Sequence, residues 1–209
     1  MTQSNAESYP VTIRGDLKEP ISRWLFLVKW LLIIPHLIVL LFLAIGVVIS
    51  LIISFFAILF TGKYPRGLFD FNVGVMRWGW RVGFYSYEAL GTDKYPPFSL
   101  DKDDNYPADL DVAYPEKLNN FLVLVKWILA IPHLVILAIF QGGSGWGYGM
   151  RYGGLQTILV LILAIINLFT GKYPKDLFDF NMGINYWSNR VCAYILLMTD
   201  KYPPFRFGK

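Results

Sequence analysis

The chain has 209 residues, of which 55% are hydrophobic, 17% aromatic and 16% charged, and its formal net charge is +4. Soluble domains carry about 25% charged residues, so this composition argues against a soluble protein and favours a membrane protein. A single cysteine, Cys192, excludes an internal disulfide and a cysteine-based metal cluster within one chain.

The N-terminal segment is polar and lacks the small-residue cleavage site of a secretory signal peptide. We therefore expect residues 1–8 to form a tail that stays in the cytoplasm. The alternating sequence VTIRG, 11–15, follows a proline and predicts a short edge strand.

A long apolar run follows from Trp24 to Phe60, with one formal charge, Lys29, in 37 residues. About 20 residues cross the hydrocarbon core of a bilayer, and one straight helix of this length would measure about 55 Å. The run therefore predicts a helical hairpin of two spans that turns near Gly46.

The sequence LFTGKYPRGLFDFN, 59–72, predicts a corner between two helices. Thr and Gly end the span, Pro sets the turn, and Asp70 lies in the first turns of the next helix, where its charge suits the helix dipole. The next helix carries a polar stripe with Arg81 and an aromatic stripe of Trp and Tyr. We interpret it as an interfacial amphipathic helix, with a polar-lined third span as the alternative.

The second half of the chain repeats the first. VKWLLIIPH at 28–36 returns as VKWILAIPH, and LFTGKYPKDLFDFN repeats the corner at 168–181. Two modules, 9–100 and 106–209, are therefore predicted, joined by an acidic linker, 101–105. The offset between equivalent residues grows from 97 to 109, and the glycine-rich segment 141–154 that contains the insertion predicts a loop between two further spans.

These elements predict an all-α transmembrane protein with four spans arranged as two helical hairpins, interfacial amphipathic helices and a small cytoplasmic β-sheet. The sheet would combine VTIRG, ADLDV and the two segments that begin YPPF. In this arrangement 16 of the 19 Lys and Arg residues lie on the side of the termini and only Arg151 lies in a far-side loop, as the positive-inside rule requires. We expect a multi-pass protein of the inner (plasma) membrane with both termini cytoplasmic, and modules that are parallel repeats about an axis along the membrane normal.

Ionisable residues inside spans are costly and often functional. The candidate binding residues are polar side chains inside the predicted spans or at their interface: Lys29, His36, Lys126, His133, Asp70, Arg81, Asp179 and Arg190. Lys29 and His36 are seven residues apart on one helical face, which suits a proton- or anion-handling pair or a site for an acidic headgroup or cofactor. In the alternative, each Lys reaches the interface or pairs with Asp70 or Asp179, and each His bonds a carbonyl freed by the adjacent Pro.

No enzyme signature such as H-E-x-x-H, G-x-S-x-G or a Walker loop occurs, so we expect no enzymatic activity and no metal. We expect no cofactor, with haem or chlorin ligation by His36 and His133 as an alternative. The expected partners are the lipid bilayer and a membrane protein or further copies of the chain, with no nucleic acid. The leading hypothesis is a structural or accessory membrane protein; the alternatives are an oligomeric channel or transporter with a Lys/His-lined path, and a lipid- or pigment-binding membrane protein.

The segments YPEKLNNFLVLVKWILAIPHLVIL, 114–137, and LFTGKYP followed by DLFDFN carry a family resemblance. They resemble the bacterial integral-membrane family called domain of unknown function 4389, nearly throughout the chain and twice. The first module departs from the family pattern at GDLKEPISRW, 15–24, where the second has AYPEKLNNF. The resemblance implies a bacterial multi-span membrane protein and no specific activity.

Overall fold

A computed structural model describes residues 9–142 and 154–208, and the described chain is mostly helical. Its elements are β1 (Val11–Gly15), α1 (Phe26–Leu32), α2 (Ile34–Thr61), α3 (Arg66–Tyr85), β2 (Ala108–Val112), α4 (Leu122–Gln141), α5 (Leu155–Thr170) and α6 (Lys175–Ile195). The predicted loop at 141–154 falls mainly outside the described residues. Two of these helices, α2 and α4, are long and apolar enough to cross a membrane, which makes four spans an unsupported prediction.

The first apolar run does not form the predicted hairpin. α2 continues for 28 residues without a break, and Gly46 lies inside it. The interruption comes earlier, at Ile33 between α1 and α2, so that Pro35, which has no N–H to donate, lies in the first turn of α2. Gly46 instead permits close packing, since a Cβ atom there would lie 3.0 Å from the ring of Phe71.

The second module forms no hairpin of spans either. Lys126 in α4 lies over the ring of Tyr194, near the end of α6. His133, two turns after Lys126 in α4, contacts Trp187, which lies two turns before Tyr194 in α6. α4 therefore runs antiparallel to α6. A tight turn at Gly171 joins α5 to α6, and α5 packs antiparallel to α6 as well. α4 and α5 therefore run in the same direction.

α5 resumes where α4 ends. The backbone of Gly154 lies directly against that of Phe140 and Gln141. In the duplication, Gln141 and Gly154 correspond to Ala44 and Ile45, which are neighbours inside α2. α4 and α5 are thus two parts of one helix that the insertion interrupts. Below, "long helix" means α1 with α2 in the first repeat and α4 with α5 in the second.

Each long helix ends at the predicted corner. Gly62 and Gly171 adopt the left-handed conformation, with φ of 68° and 67°, and their N–H groups bond the last helical carbonyls. Glycine takes this conformation without a steric penalty. Pro65 and Pro174 then precede the first residues of α3 and α6, so the corner predicted from TGKYP is confirmed.

The helices α3 and α6 are not interfacial, contrary to expectation. Fifteen of the 20 residues of α3 are buried, including its aromatic stripe. Trp78 packs against α2, and the indole of Trp80 donates a hydrogen bond to the carbonyl of Arg14 in β1 (2.8 Å). An amphipathic pattern arises here because the helix lies between polar and apolar protein layers.

Among the described residues the sheet has two strands, β1 and β2, and the YPPF segments are irregular. The strands are antiparallel, with Ile13 opposite Leu110 at the centre. These two residues are equivalent in the duplication, so a local two-fold axis passes between them. β1 lies on α6 as well as on α3, and β2 lies on α3, so the repeats interlock; the module boundaries stay a prediction.

Candidate functional site

Lys29 in α1 is fully buried and held by the segment that follows α3. Its ammonium group donates a hydrogen bond to the carbonyl of Thr92 (2.7 Å) and lies 3.0 Å from Oδ1 of Asp93. The ring of Tyr85 lies 4.6 Å from the same ammonium group. Asp93 also accepts a hydrogen bond from the N–H of Ser22 (2.5 Å). This ion pair holds α1 against the segment that follows α3.

Lys126 in α4 has an equivalent environment. It donates to the carbonyl of Thr199 (2.8 Å) and lies 2.6 Å from Oδ1 of Asp200. The predicted pairing of the lysines with Asp70 or Asp179 is therefore wrong. The partners come instead from the TDKYPPF segments that close each repeat.

His36 lies in an aromatic cage. The indole N–H of Trp78 donates to its Nδ1 (3.0 Å), so the proton of the neutral imidazole is on Nε2. The imidazole stacks on Phe98 with ring centroids 3.8 Å apart, and the ring of Tyr95 lies at 4.9 Å. Nε2 is buried, with no hydrogen-bond partner among the described residues. The cage screens the imidazole from water.

His133 is enclosed in the same way by the second repeat. Trp187 donates to its Nδ1 (3.0 Å), and Phe205 stacks on its ring at 3.8 Å. Within residues 9–142 and 154–208 its Nε2 also has no partner. Each histidine is thus held by its own repeat, and no contact in this part of the chain joins His36 to His133. The arrangement gives no support to a haem or chlorin held between them.

A tyrosine, not a histidine, bonds the backbone near each proline. Tyr95 donates its hydroxyl proton to the carbonyl of Leu32 (2.9 Å), and Tyr202 does the same for Leu129 (3.0 Å). Proline has no N–H and so interrupts the hydrogen-bond pattern of the preceding turn. The predicted bond from histidine is wrong, and the tyrosine of each YPPF segment takes that place.

Arg81 in α3 is fully buried and faces β2. One carboxylate oxygen of Asp109 lies 3.3 Å from its Nη2 and 3.2 Å from Nε of Arg77. Arg77 also donates to the carbonyl of Leu110 (2.8 Å) and pairs with Asp111 (3.2 Å). Burial lowers the pKa of the Arg81 guanidinium, and the Asp109 carboxylate opposes this by raising it. The cluster holds α3 against the two-stranded sheet of β1 and β2, called the ribbon below.

Arg190 in α6 is the equivalent of Arg81, but no carboxylate pairs with it within the described residues. It donates to the carbonyl of Arg206 (3.3 Å) and to that of Gly208. Burial lowers its pKa, and the positive charge of Arg206 lowers it further. The strand that corresponds to β2 carries Thr12 where β2 carries an aspartate. The two repeats therefore differ in charge at this position.

Asp70 and Asp179 lie on the surface, away from the buried clusters. Asp70 pairs with Arg66 at 3.0 Å and Asp179 with Lys175 at 3.5 Å, each one helical turn apart. All four side chains are more than half exposed. Exposed pairs of this kind contribute little to stability. The eight candidate residues thus belong to separate places and form no single site.

The partners of these residues were not predicted from the sequence. Asp93 and Asp200 went unassigned, although the repeated TDKYPPF segment around them was a usable signal. Trp78 and Trp187 were expected at lipid headgroups and instead bond buried histidines. No group of three His, Cys, Asp or Glu residues in the described chain is arranged to hold a metal ion. The buried polar contacts of Lys29, Lys126 and the two histidines join each long helix to the end of α3 or α6 and the segment after it.

Comparison with known proteins identifies a family without an established activity. The family described as Domain of unknown function (DUF4389) matches residues 23–99 and 152–206. The gap between the two matches contains α4 and most of the segment that separates α4 from α5. No curated protein and no solved structure matches the chain. The chain belongs to the domain of unknown function 4389 family.

Proposed function

We propose that the protein is an integral membrane protein with a structural or accessory role, packing against membrane partners or against copies of itself. One observation supports this. In α2 the polar side chains face the protein interior and the apolar side chains face outward, which is the opposite of a surface helix in a soluble protein. Its polar residues before the last turn, His36, Ser50 and Ser54, are buried. Its large outward side chains are all apolar and 38–77% exposed: Ile34, Ile38, Leu41, Phe42, Ile45, Val48, Ile49, Ile52, Ile53, Phe56 and Phe60.

The same reversal recurs in the other long helix. Lys126, His133 and Gln141 of α4 are buried, as are Gln156 and Asn167 of α5. The exposed apolar area on α2 alone is on the order of 1,000 Å², whereas the largest apolar patch on a soluble monomer is about 300–600 Å². A surface of this size needs hydrocarbon or another apolar protein surface as its neighbour.

The contacts of the buried polar groups favour an accessory role over a channel or transporter. A conducting path would need Lys29 and His36, or their equivalents, to line a polar passage. Instead the ammonium groups are ion-paired and the imidazoles are caged by aromatic rings. We propose a bacterial inner membrane location with cytoplasmic termini, supported by the net charge of +4, which suits anionic lipid headgroups.

The proposal is tested by placing a charge on the apolar face. Ile45→Lys puts a charge on α2 where the side chain is 55% exposed, and a charge at the centre of a helix in hydrocarbon costs about 2.5–3.5 kcal/mol. We expect less protein in floated membranes and a lower melting temperature in mild detergent. The matched control Ala113→Lys, at an exposed residue just after β2, should change neither.

The accessory role is tested by measuring the mass and composition of the purified complex. Protein purified from native membranes in mild detergent should contain a partner chain or more than one copy of the 24.0 kDa chain. A chain that is soluble without detergent, or whose Ile45→Lys variant behaves like the control, would contradict membrane residence. A strictly monomeric chain in mild detergent and in cross-linked membranes would contradict the packing role.

A further inference from the structure

We infer that the protein sits in a single leaflet of the bilayer, with its long helices parallel to the membrane plane and the β1–β2 ribbon in the adjoining water. The inference rests on the membrane residence proposed above and concerns how the chain meets the lipid. Its basis is the direction of equivalent elements in the two repeats, the location of the ribbon, and the location of exposed charge.

The two long helices are antiparallel. The end of α2 lies against the segment before α4, where the N–H of Leu118 donates to the carbonyl of Gly62 (2.8 Å). The end of α5 lies against the segment before α1, where Asn167 donates to the carbonyl of Ser22 (3.2 Å). Each long helix therefore begins where the other one ends.

The other equivalent elements are reversed in the same way. Tyr173, just before α6, donates to the carbonyl of Ala89, just after α3 (2.6 Å). Tyr64, just before α3, donates to the carbonyl of Leu196, just after α6 (3.3 Å). With the antiparallel strands β1 and β2, every element is antiparallel to its equivalent. A two-fold rotation reverses the direction of an element only if its axis is perpendicular to that element. The axis that relates the repeats is therefore perpendicular to the long helices.

The ribbon lies at one end of this axis. On α3, Arg77 donates to the carbonyl of Leu110 in the ribbon (2.8 Å), while Asn72, on a different face, donates to the hydroxyl of Ser50 in α2 (2.9 Å). α3 thus separates the ribbon from the long helix. Exposed charged residues occupy the segments that follow β1 and precede β2, at the end of the ribbon where Gly15 pairs with Ala108: Asp16, Lys18, Glu19, Asp101, Lys102 and Asp104.

Two orientations in a bilayer follow from this layout, and the exposed charges decide between them. If the long helices crossed the bilayer, the axis would lie in the membrane plane and the ribbon would be level with the centre of the hydrocarbon. Every exposed charge there would carry an insertion penalty. If the axis is along the membrane normal, the ribbon is in water and only the long helices meet hydrocarbon.

The dimensions suit the second orientation. α2 is about 42 Å long, more than the roughly 30 Å hydrocarbon core, but a helix is only about 10 Å across and fits within one leaflet of about 15 Å. Exposed aromatic residues lie beside the starts of the long helices, with Trp24 at 66% and Phe121 at 77% exposure. Aromatic side chains prefer the headgroup region. A helix that lies in one leaflet has both ends at the same interface.

Side-specific labelling tests the inference. In a Cys192→Ser background, Lys63→Cys reports the end of α2, Lys172→Cys the end of α5, and Lys102→Cys the ribbon; all three lysines are exposed. The probe is a membrane-impermeant maleimide added to sealed vesicles of each orientation. We expect all three cysteines to react from one side and to be protected from the other. Arg66→Cys and Lys175→Cys duplicate the two ends should a variant fail to fold.

The outcomes separate the two proposals. Labelling of the α2 end and the α5 end from opposite faces, with the protein still in the membrane fraction, would overturn the single-leaflet inference and leave membrane residence intact. A chain that does not float with lipid vesicles would overturn membrane residence and with it this inference. Unchanged melting temperatures in detergent confirm that the labelled variants are folded.

Discussion

Asp109 is the residue whose replacement tests the clamp between α3 and the ribbon most directly. Asp109→Asn keeps the size of the side chain and removes its charge. Arg81, which is fully buried, then loses its paired carboxylate and has neutral acceptors in its place, the amide oxygen at residue 109 and the carbonyl of Ser99 (3.4 Å). Arg77 keeps its contact with Asp111 at 3.2 Å. The substitution therefore removes the paired carboxylate of Arg81 and leaves Arg77 paired with Asp111.

The size of the effect follows from this geometry. Removing one partner of a buried ion pair costs about 3–5 kcal/mol. The lower end applies here, because Asp109 is 14% exposed and water reaches the new amide. For a chain of this size, 1 kcal/mol shifts the melting temperature by about 2–4 °C, so about 3 kcal/mol corresponds to about 6–12 °C.

The assay is a thermal melt in mild detergent, followed by tryptophan fluorescence. Asp70→Asn is the matched control, because its pair with Arg66 is exposed and exposed pairs contribute about 1 kcal/mol at most. The double variant Asp109→Asn with Arg81→Met should recover part of the loss, since it removes the stranded charge as well.

Two results would refute this reasoning. One is a melting temperature for Asp109→Asn that falls no further than that of Asp70→Asn, which would mean that water or another group already compensates Arg81. The other is a double variant no more stable than the single one, which would mean that the loss does not come from the unpaired guanidinium.

Three further predictions concern the helices. Trp78→Phe leaves the Nδ1 of His36 without a donor, so we expect a loss of about 1–3 kcal/mol in a thermal melt; Trp24→Phe, at an exposed residue, should stay within about 0.5 kcal/mol. Gly46→Pro should cost about 3 kcal/mol or more because it interrupts α2, whereas Gly46→Ala should cost less because only the ring of Phe71 has to shift; equal melting temperatures for the two would indicate a turn there. Deletion of 142–153 should leave a helical protein by circular dichroism, because α4 then continues directly into α5; loss of the helical signal would contradict the single-helix interpretation.

Local features of the fold were predictable because short-range physics determines them. The strand VTIRG and its equivalent ADLDV form with the expected bounds, since alternation and flanking prolines are local. The TGKYP corner also forms as expected, because a left-handed glycine and a proline define it regardless of the surroundings. The hairpin near Gly46 failed for a different reason. The length of an apolar helix limits it to one bilayer thickness only where it runs along the membrane normal, and the sequence does not set that direction.

The candidate site was less predictable than the fold. The chemistry of Lys29 and His36 drew attention to the right side chains, but their partners are distant in sequence. Thr92 lies 63 residues from Lys29, and no periodicity in a single sequence encodes such a contact. The aromatic stripe of α3 was misassigned because a helix between a polar ribbon and an apolar helix has the same pattern as one between water and lipid.

The interlocking ribbon bears on how this chain arose. Since Ile13 and Leu110 are equivalent and face each other, an ancestor with one repeat would close the same ribbon as a homodimer, each subunit supplying one strand. In a homodimer every substitution appears twice. Once both repeats are in one gene, each strand changes alone. Asp109 therefore serves Arg81 in one repeat, while Arg190, its counterpart, has been free to take backbone partners instead.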